Sequence, residues 1–188
     1  HNIVQWLSFI EKDAEEIFLV GDIFDFWFEH NFSVPKGNVR FLGKIAQLVD
    51  QGVKVHFFTG NHDFWMFNYL EKEIGVHIIR TPVTIELKDK TIMIGHGDGL
   101  GPGDLKYKFI KKIFTSKVCQ WLFARLHPNF SFYIARQWSQ KSKENERKGS
   151  PSFLGEQKEW LIQYSKEQLS RNNNIDYFIF GHRHLPIE

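Results

Sequence analysis

Apolar residues in this chain come in short runs that stop abruptly at glycine. Ile17-Phe18-Leu19-Val20 stops at Gly21-Asp22, and the run from Val53 to Phe58 gives way to Thr59-Gly60-Asn61-His62-Asp63. Runs of this length bounded by glycine predict buried strands. Between them, Phe41, Ile45, Leu48 and Val49 recur at helical spacing up to Gly52, which predicts a helix. Strand, helix, strand in that order predicts a parallel βαβ unit. Upstream, Val4, Leu7 and Ile10, with Trp6 beside them, predict a helix to about Lys12.

The second half repeats the device and then changes character. Val76 to Ile79, Thr84 to Leu87 and Thr91 to Ile94 read as strands, the last two joined as a hairpin by Lys88-Asp89-Lys90. The third stops at Gly95-His96-Gly97-Asp98, and a loop with Gly99, Gly101 and Gly103 follows. Asp104 is placed to cap a helix carrying Phe109, Ile113 and Phe114 on one face. Val118, Trp121, Leu122 and Leu126 continue the helical pattern to His127-Pro128. Phe130 to Trp138 makes another aromatic helical stretch, running into the polar Gln140 to Gly149. A further helix is expected to open at Ser150-Pro151 and to end at Asn172-Asn173-Asn174. Tyr177 to Phe180 is the last strand, stopping at Gly181-His182-Arg183-His184.

Length adds that 188 residues suit one domain, 1–188, with the helical stretch at about 104–149 inserted as a cap. Charge sharpens the picture. The net value is only +2, yet Lys106 to Lys148 holds eleven Lys or Arg against two Glu, a local +9 that leaves −7 for the remainder. A basic segment beside an acidic remainder points to an anionic partner: phosphate, nucleic acid or an acidic membrane surface. Aromatic residues, at 16% with 19 Phe, are numerous enough to cover surface as well as core, although at least half of the cap's aromatics are expected to be cap core. The single Cys119 excludes an intramolecular disulfide and argues against a thiolate metal site. No apolar run approaches a membrane span.

The chemistry lies where the strands stop. Gly21-Asp22-Ile23-Phe24-Asp25, Gly60-Asn61-His62-Asp63, Gly95-His96-Gly97-Asp98 and Gly181-His182-Arg183-His184 each follow an apolar run, and each opens with the residue that permits a sharp exit. Open α/β sheets place their sites at such C-terminal strand ends. Together these segments offer carboxylate, carboxamide and imidazole ligands and no thiolate, a set that suits Mn²⁺, Fe²⁺, Zn²⁺ or Mg²⁺. A carboxylate such as Asp22 can bridge two cations about 3.5–4 Å apart. His182 and His184 can serve one cation each, and Asp63 can orient the His62 imidazole from behind.

In this the chain resembles the calcineurin-like metallophosphoesterases, whose pattern runs Asp-x-His, Gly-Asp-x-x-Asp, Gly-Asn-His-Asp/Glu, Gly-His and Gly-His-x-His. The last four are present in order from Gly21 to His184. The resemblance implies an α/β sandwich of two mixed sheets flanked by helices, with an inserted helical cap, and two divalent metal ions, of which Mn is the first expectation. It implies Asp22 as the bridging ligand, Asn61, His96 and His182 on one metal and His184 on the other. His62 would stabilise phosphoryl charge or protonate the leaving group. The opening Asp-x-His does not occur before Asp22 and is expected upstream; further strands are expected downstream of His184.

Gly21-Asp22-Ile23-Phe24-Asp25-Phe26-Trp27, His96-Gly97-Asp98-Gly99-Leu100 and Ser142-Lys143-Glu144-Asn145 make a narrower resemblance, to the UDP-2,3-diacylglucosamine pyrophosphatases of lipid A synthesis. These cleave the diphosphate to give UMP and 2,3-diacylglucosamine 1-phosphate. This implies an amphipathic nucleotide-sugar lipid as substrate, substrate contacts from Asp104, Tyr107, Ser142, Asn145 and Lys148, and cytoplasmic location on the inner face of the membrane as a peripheral protein, with no nucleic acid partner. Many of these pyrophosphatases carry Arg where His62 stands. Two other readings remain open: a metallophosphoesterase of a different phosphodiester, nucleotide or phosphoprotein, and a non-catalytic metal-stabilised scaffold.

Overall fold

A computed structural model describes residues 2–103, 105–148, 153 and 155–185, without the side chains of 106, 142, 143 and 145–148. The chain divides into two compact units, His1–Thr81 and Pro82–Glu188.

The first unit is built on helix α1 (Asn2–Ile10), strand β1 (Glu16–Val20), helix α2 (Val39–Asp50), strand β2 (Lys54–Phe58), a short π-helical turn (Leu70–Ile74) and strand β3 (His77–Ile79). Its sheet has the order β1-β2-β3 and is parallel throughout. β1 and β2 flank α2, so the expected βαβ unit is present. Phe41, Leu42, Ile45 and Leu48 give α2 one apolar face, and all four are buried. They pack with Leu7 of α1 and with Ile17, Leu19, Val55, Phe57 and Ile78 of the sheet. At about 1.5–3 kcal/mol for each large side chain taken from water, this core is the main stabilising force of the unit. α2 stops where Gly52 takes a φ of 92°, a left-handed conformation that turns the chain back into β2.

The second unit contains strands β4 (Val83–Leu87), β5 (Lys90–Gly95) and β6 (Tyr177–Phe180) and helices α3 (Leu105–Thr115), α4 (Lys117–Ala124), α5 (Pro128–Lys148) and α6 (Trp160–Arg171). β5 is central, antiparallel to β4 and parallel to β6. β4 and β5 form the expected hairpin, with Leu87 opposite Lys90, and Lys88 and Asp89 make its two-residue turn at φ 47° and 63°. Two positive φ values in a two-residue loop define the turn type whose twist matches paired strands.

The α/β class with two sheets agrees with the sequence reading, except that the first sheet is parallel rather than mixed, and three further points stand out. The π-helical turn was not anticipated. Ser150 and Pro151, where a helix is expected to open, lie outside the described residues, and the described helix begins at Trp160, after a turn at residues 156–158. The cap aromatics depart most. Phe109, Trp121, Phe130, Tyr133 and Trp138 are more than half exposed, so fewer than half of the eight aromatics from Phe109 to Trp138 are cap core. For Phe130, Tyr133 and Trp138 the reason lies on α5. Its buried stripe is Ser131, Ala135 and Ser139, spaced by four, and small side chains there leave the large ones facing outward.

Candidate active site

In the first unit, two strand ends are tied together by one carboxylate. Asp63 is fully buried and accepts hydrogen bonds from the backbone N–H of Asp22 (3.3 Å), Ile23 (2.8 Å), Phe24 (3.3 Å) and Gly60 (2.7 Å). The loop after β1 is thereby fastened to the loop after β2. Asp22 sits at a φ of 53°, and its Oδ1 accepts the His62 N–H at 2.8 Å. The His62 carbonyl in turn accepts the Trp27 N–H at 3.3 Å. A side chain at Gly60 would fall on the Asp22 carboxylate, with its Cβ 2.6 Å from Asp22 N, so only glycine fits. Sequence reading cast Asp63 as support for the His62 imidazole. The bonds described here go to backbone, and they brace the loop that carries Asp22.

In the second unit, the parallel register of β5 and β6 pairs Gly95 with Phe180, so the segments that follow leave the sheet side by side. His96 is 4% exposed, and its ring lies 5.2 Å from that of His182 at 66°. A ligand atom of one comes within 4.8 Å of a ligand atom of the other. His182 and His184 take φ values of 59° and 50°, conformations that non-glycine residues adopt at a cost. His184 is exposed. Two imidazoles this close, on backbone held in an unfavourable conformation, fit a divalent cation as their common partner. In the first unit, Asn61 and Asp22 carry a carboxamide and a carboxylate just after the ends of β2 and β1.

The glycine loop after β5 is anchored to α3. Asp98, 7% exposed, accepts the Tyr107 hydroxyl at 2.5 Å and Lys111 Nζ at 2.5 Å, and Lys111 also reaches the Asp98 carbonyl at 3.0 Å. Lys108 donates to the Gly101 carbonyl at 2.5 Å. Two of the eleven cations of the basic segment are thus engaged within the protein. Tyr107 stands 6.0 Å from the His182 ring, centroid to centroid, which places it beside the histidine pair. Asp104 lies outside the described residues. Ser142, Asn145 and Lys148 fall on α5, and their side chains lie outside the described set as well.

Sequence reasoning missed three features here. Asp63 as a backbone clamp carries no sequence signal beyond its place after Gly-Asn-His. Lys111 was visible as one basic residue among eleven from Lys106 to Lys148, with nothing to single it out. The pairing of Arg183 with Glu159 joins residues 24 positions apart, and no local pattern marks it.

Strand ends that supply imidazole and carboxylate at turning glycines suit a metal-dependent hydrolase of the α/β class. Comparison with known proteins gives it a family. The chain belongs to the calcineurin-like phosphoesterases, whose family model matches residues 1–186. The chain is therefore a phosphohydrolase, and the family implies divalent metal ions. Among its relatives, UDP-2,3-diacylglucosamine hydrolase of Porphyromonas gingivalis is 36% identical over 203 aligned positions, covering 99% of this chain and 75% of that protein. The enzyme of the same name from Histophilus somni is 30% identical, covering 96% of this chain and 75% of its own length. That of Aliivibrio fischeri is 27% identical, with 96% and 74% covered.

Proposed function

We propose that this chain hydrolyses the diphosphate of UDP-2,3-diacylglucosamine, releasing UMP and 2,3-diacylglucosamine 1-phosphate in lipid A synthesis. The observation that carries the reading is the match of nearly the whole chain to hydrolases of that name. We assign Asp22, Asn61, His96, His182 and His184 as ligands of two divalent ions, Mn²⁺ first among Fe²⁺, Zn²⁺ and Mg²⁺. When bound, such ions lower the pKa of a water and neutralise charge on the phosphoryl oxygens. His62 is assigned to the phosphoryl oxygens or the leaving group. Its backbone is fixed on both sides, through its N–H to Asp22 and its carbonyl from Trp27, so its imidazole is presented from a rigid turn. Tyr107, held by Asp98, is assigned to substrate together with Asp104, Ser142, Asn145 and Lys148.

The cap suits the other end of such a substrate. Phe109, Ile113, Val118, Trp121 and Leu122 are exposed on α3 and α4, and Arg125 lies 4.5 Å over the Trp121 ring. Lys112 and Lys117 are exposed on the same two helices. Aromatic and aliphatic side chains edged by cations can receive acyl chains at an anionic bilayer surface. Among the described residues no helix is long and apolar enough to cross a membrane. We therefore assign the chain to peripheral association with the cytoplasmic face of the inner membrane.

The test is substitution of the proposed bridging ligand. Asp22→Ala is expected to abolish UMP release in Mn²⁺ while far-UV circular dichroism stays that of the parent. Turnover retained by a folded Asp22→Ala protein would sink the two-metal reading.

A further inference from the structure

We infer that Glu159 and Arg183 are positioning residues that hold the His182 and His184 loop in its metal-binding shape. This rests on the assignment of those histidines as ligands. Both take left-handed φ values, 59° and 50°, and Arg183 lies between them. The loop is tight, with Arg183 N–H donating to the Gly181 carbonyl at 2.6 Å. Something outside the loop must favour this shape over the relaxed ones open to non-glycine residues. Arg183 supplies it. Its Nε and Nη2 donate to the two carboxylate oxygens of Glu159, each at 3.0 Å, a fork-to-fork pair. The Glu159 carboxylate is 1% exposed and the Arg183 side chain 15%, so neither charge can turn to water if the pair breaks. The guanidinium also lies 5.2 Å from the centre of the Trp160 ring.

The support is itself anchored. Glu159 immediately precedes α6; its N–H donates to the Gly155 carbonyl at 3.0 Å and its carbonyl accepts the Gln163 N–H at 3.0 Å. The same turn of α6 also backs the loop after β5. A Cβ at Gly101 would strike the Trp160 carbonyl oxygen, and one at Gly97 would lie 3.1 Å from Leu161 Cδ2. Glu159, Trp160 and Leu161 thus touch the segment following His96 and the segment containing His182, whose rings stand 5.2 Å apart. Groups that fix the orientation of metal ligands change metal affinity when they are removed, and a salt bridge with a purely stabilising role does not.

The experiment is isothermal titration of chelator-stripped full chain with Mn²⁺, for the parent, Glu159→Gln, Arg183→Lys, the double variant and His182→Ala. Each is measured where circular dichroism shows it folded. Arg183→Lys keeps the charge and loses the fork, so it serves if Glu159→Gln does not fold. The expected result is Mn²⁺ affinity weaker by about 10–100-fold in each single variant, with the double no weaker than the worse single. Parent-like affinity in Glu159→Gln and Arg183→Lys, alongside a loss in His182→Ala, would overturn the inference and leave the ligand assignment standing. Parent-like affinity in His182→Ala would overturn the ligand assignment, and the inference with it.

Discussion

At the scale of single residues, the site depends on groups whose work is to hold backbone. Asp63 is the clearest. Its buried carboxylate serves four N–H groups from two loops, and removing it leaves those donors without a partner. Asp63→Ala is expected to cost about 3 kcal/mol in urea unfolding at unchanged slope, and a loss below about 1 kcal/mol would contradict the clamp. His56 makes a prediction about pH. It stacks on Phe18 at 4.7 Å, and its pKa lies below the ordinary 6.5, first because burial strips water from the cation, then through His77 and Lys54, with Glu16 opposing. As pH falls through 6.5 the unfolded chain takes the proton first, so stability is full above that value and declines below it. Replacing His56 with Phe is expected to flatten stability between about pH 7 and pH 5. An unchanged pH profile in His56→Phe would remove His56 as the cause.

At the scale of elements, what was legible in the sequence was whatever depends on neighbours along the chain. The apolar face of α2, from Phe41 to Leu48, and the strand runs stopping at Gly21, Gly60, Gly95 and Gly181 were readable because burial and turning are local demands on residue type. The start of α6 was not. Gly155 takes a φ of 86° and a turn at 156–158 precedes Trp160, and Glu159 at the start of the helix pairs with Arg183, 24 residues on. A partner that distant leaves no mark in the local sequence pattern. The cap aromatics were misjudged for a similar reason, because Ser131, Ala135 and Ser139 give no hydrophobic signal yet form the buried face of α5. The β4–β5 turn carries its own prediction. Lys88 and Asp89 both sit at positive φ, so Asp89→Gly should relieve left-handed strain and stabilise the protein by about 1 kcal/mol, read as a higher urea midpoint. A lower midpoint would mean that Asp89 makes a compensating contact.

At the scale of the whole molecule, two kinds of surface serve one proposed substrate. Polar strand ends carry the proposed ligands of the metal ions, and α3 and α4 expose aromatic and basic side chains suited to acyl chains. The family pattern made the first surface visible in the sequence. The second was visible only as composition, because which aromatics face outward is settled by packing. The most direct test is the rate of UMP release in Mn²⁺ from UDP-2,3-diacylglucosamine and from unacylated UDP-N-acetylglucosamine, for the parent chain and for a Phe109→Ser/Trp121→Ser variant. The account predicts turnover of the acylated substrate alone, and a rise in KM of at least about tenfold in the variant with circular dichroism unchanged, since two large apolar contacts at roughly 1.5–3 kcal/mol each are removed. Equal turnover of both substrates, or a variant indistinguishable from the parent on the acylated one, would contradict the lipid-recognising role of the cap and with it the proposed substrate.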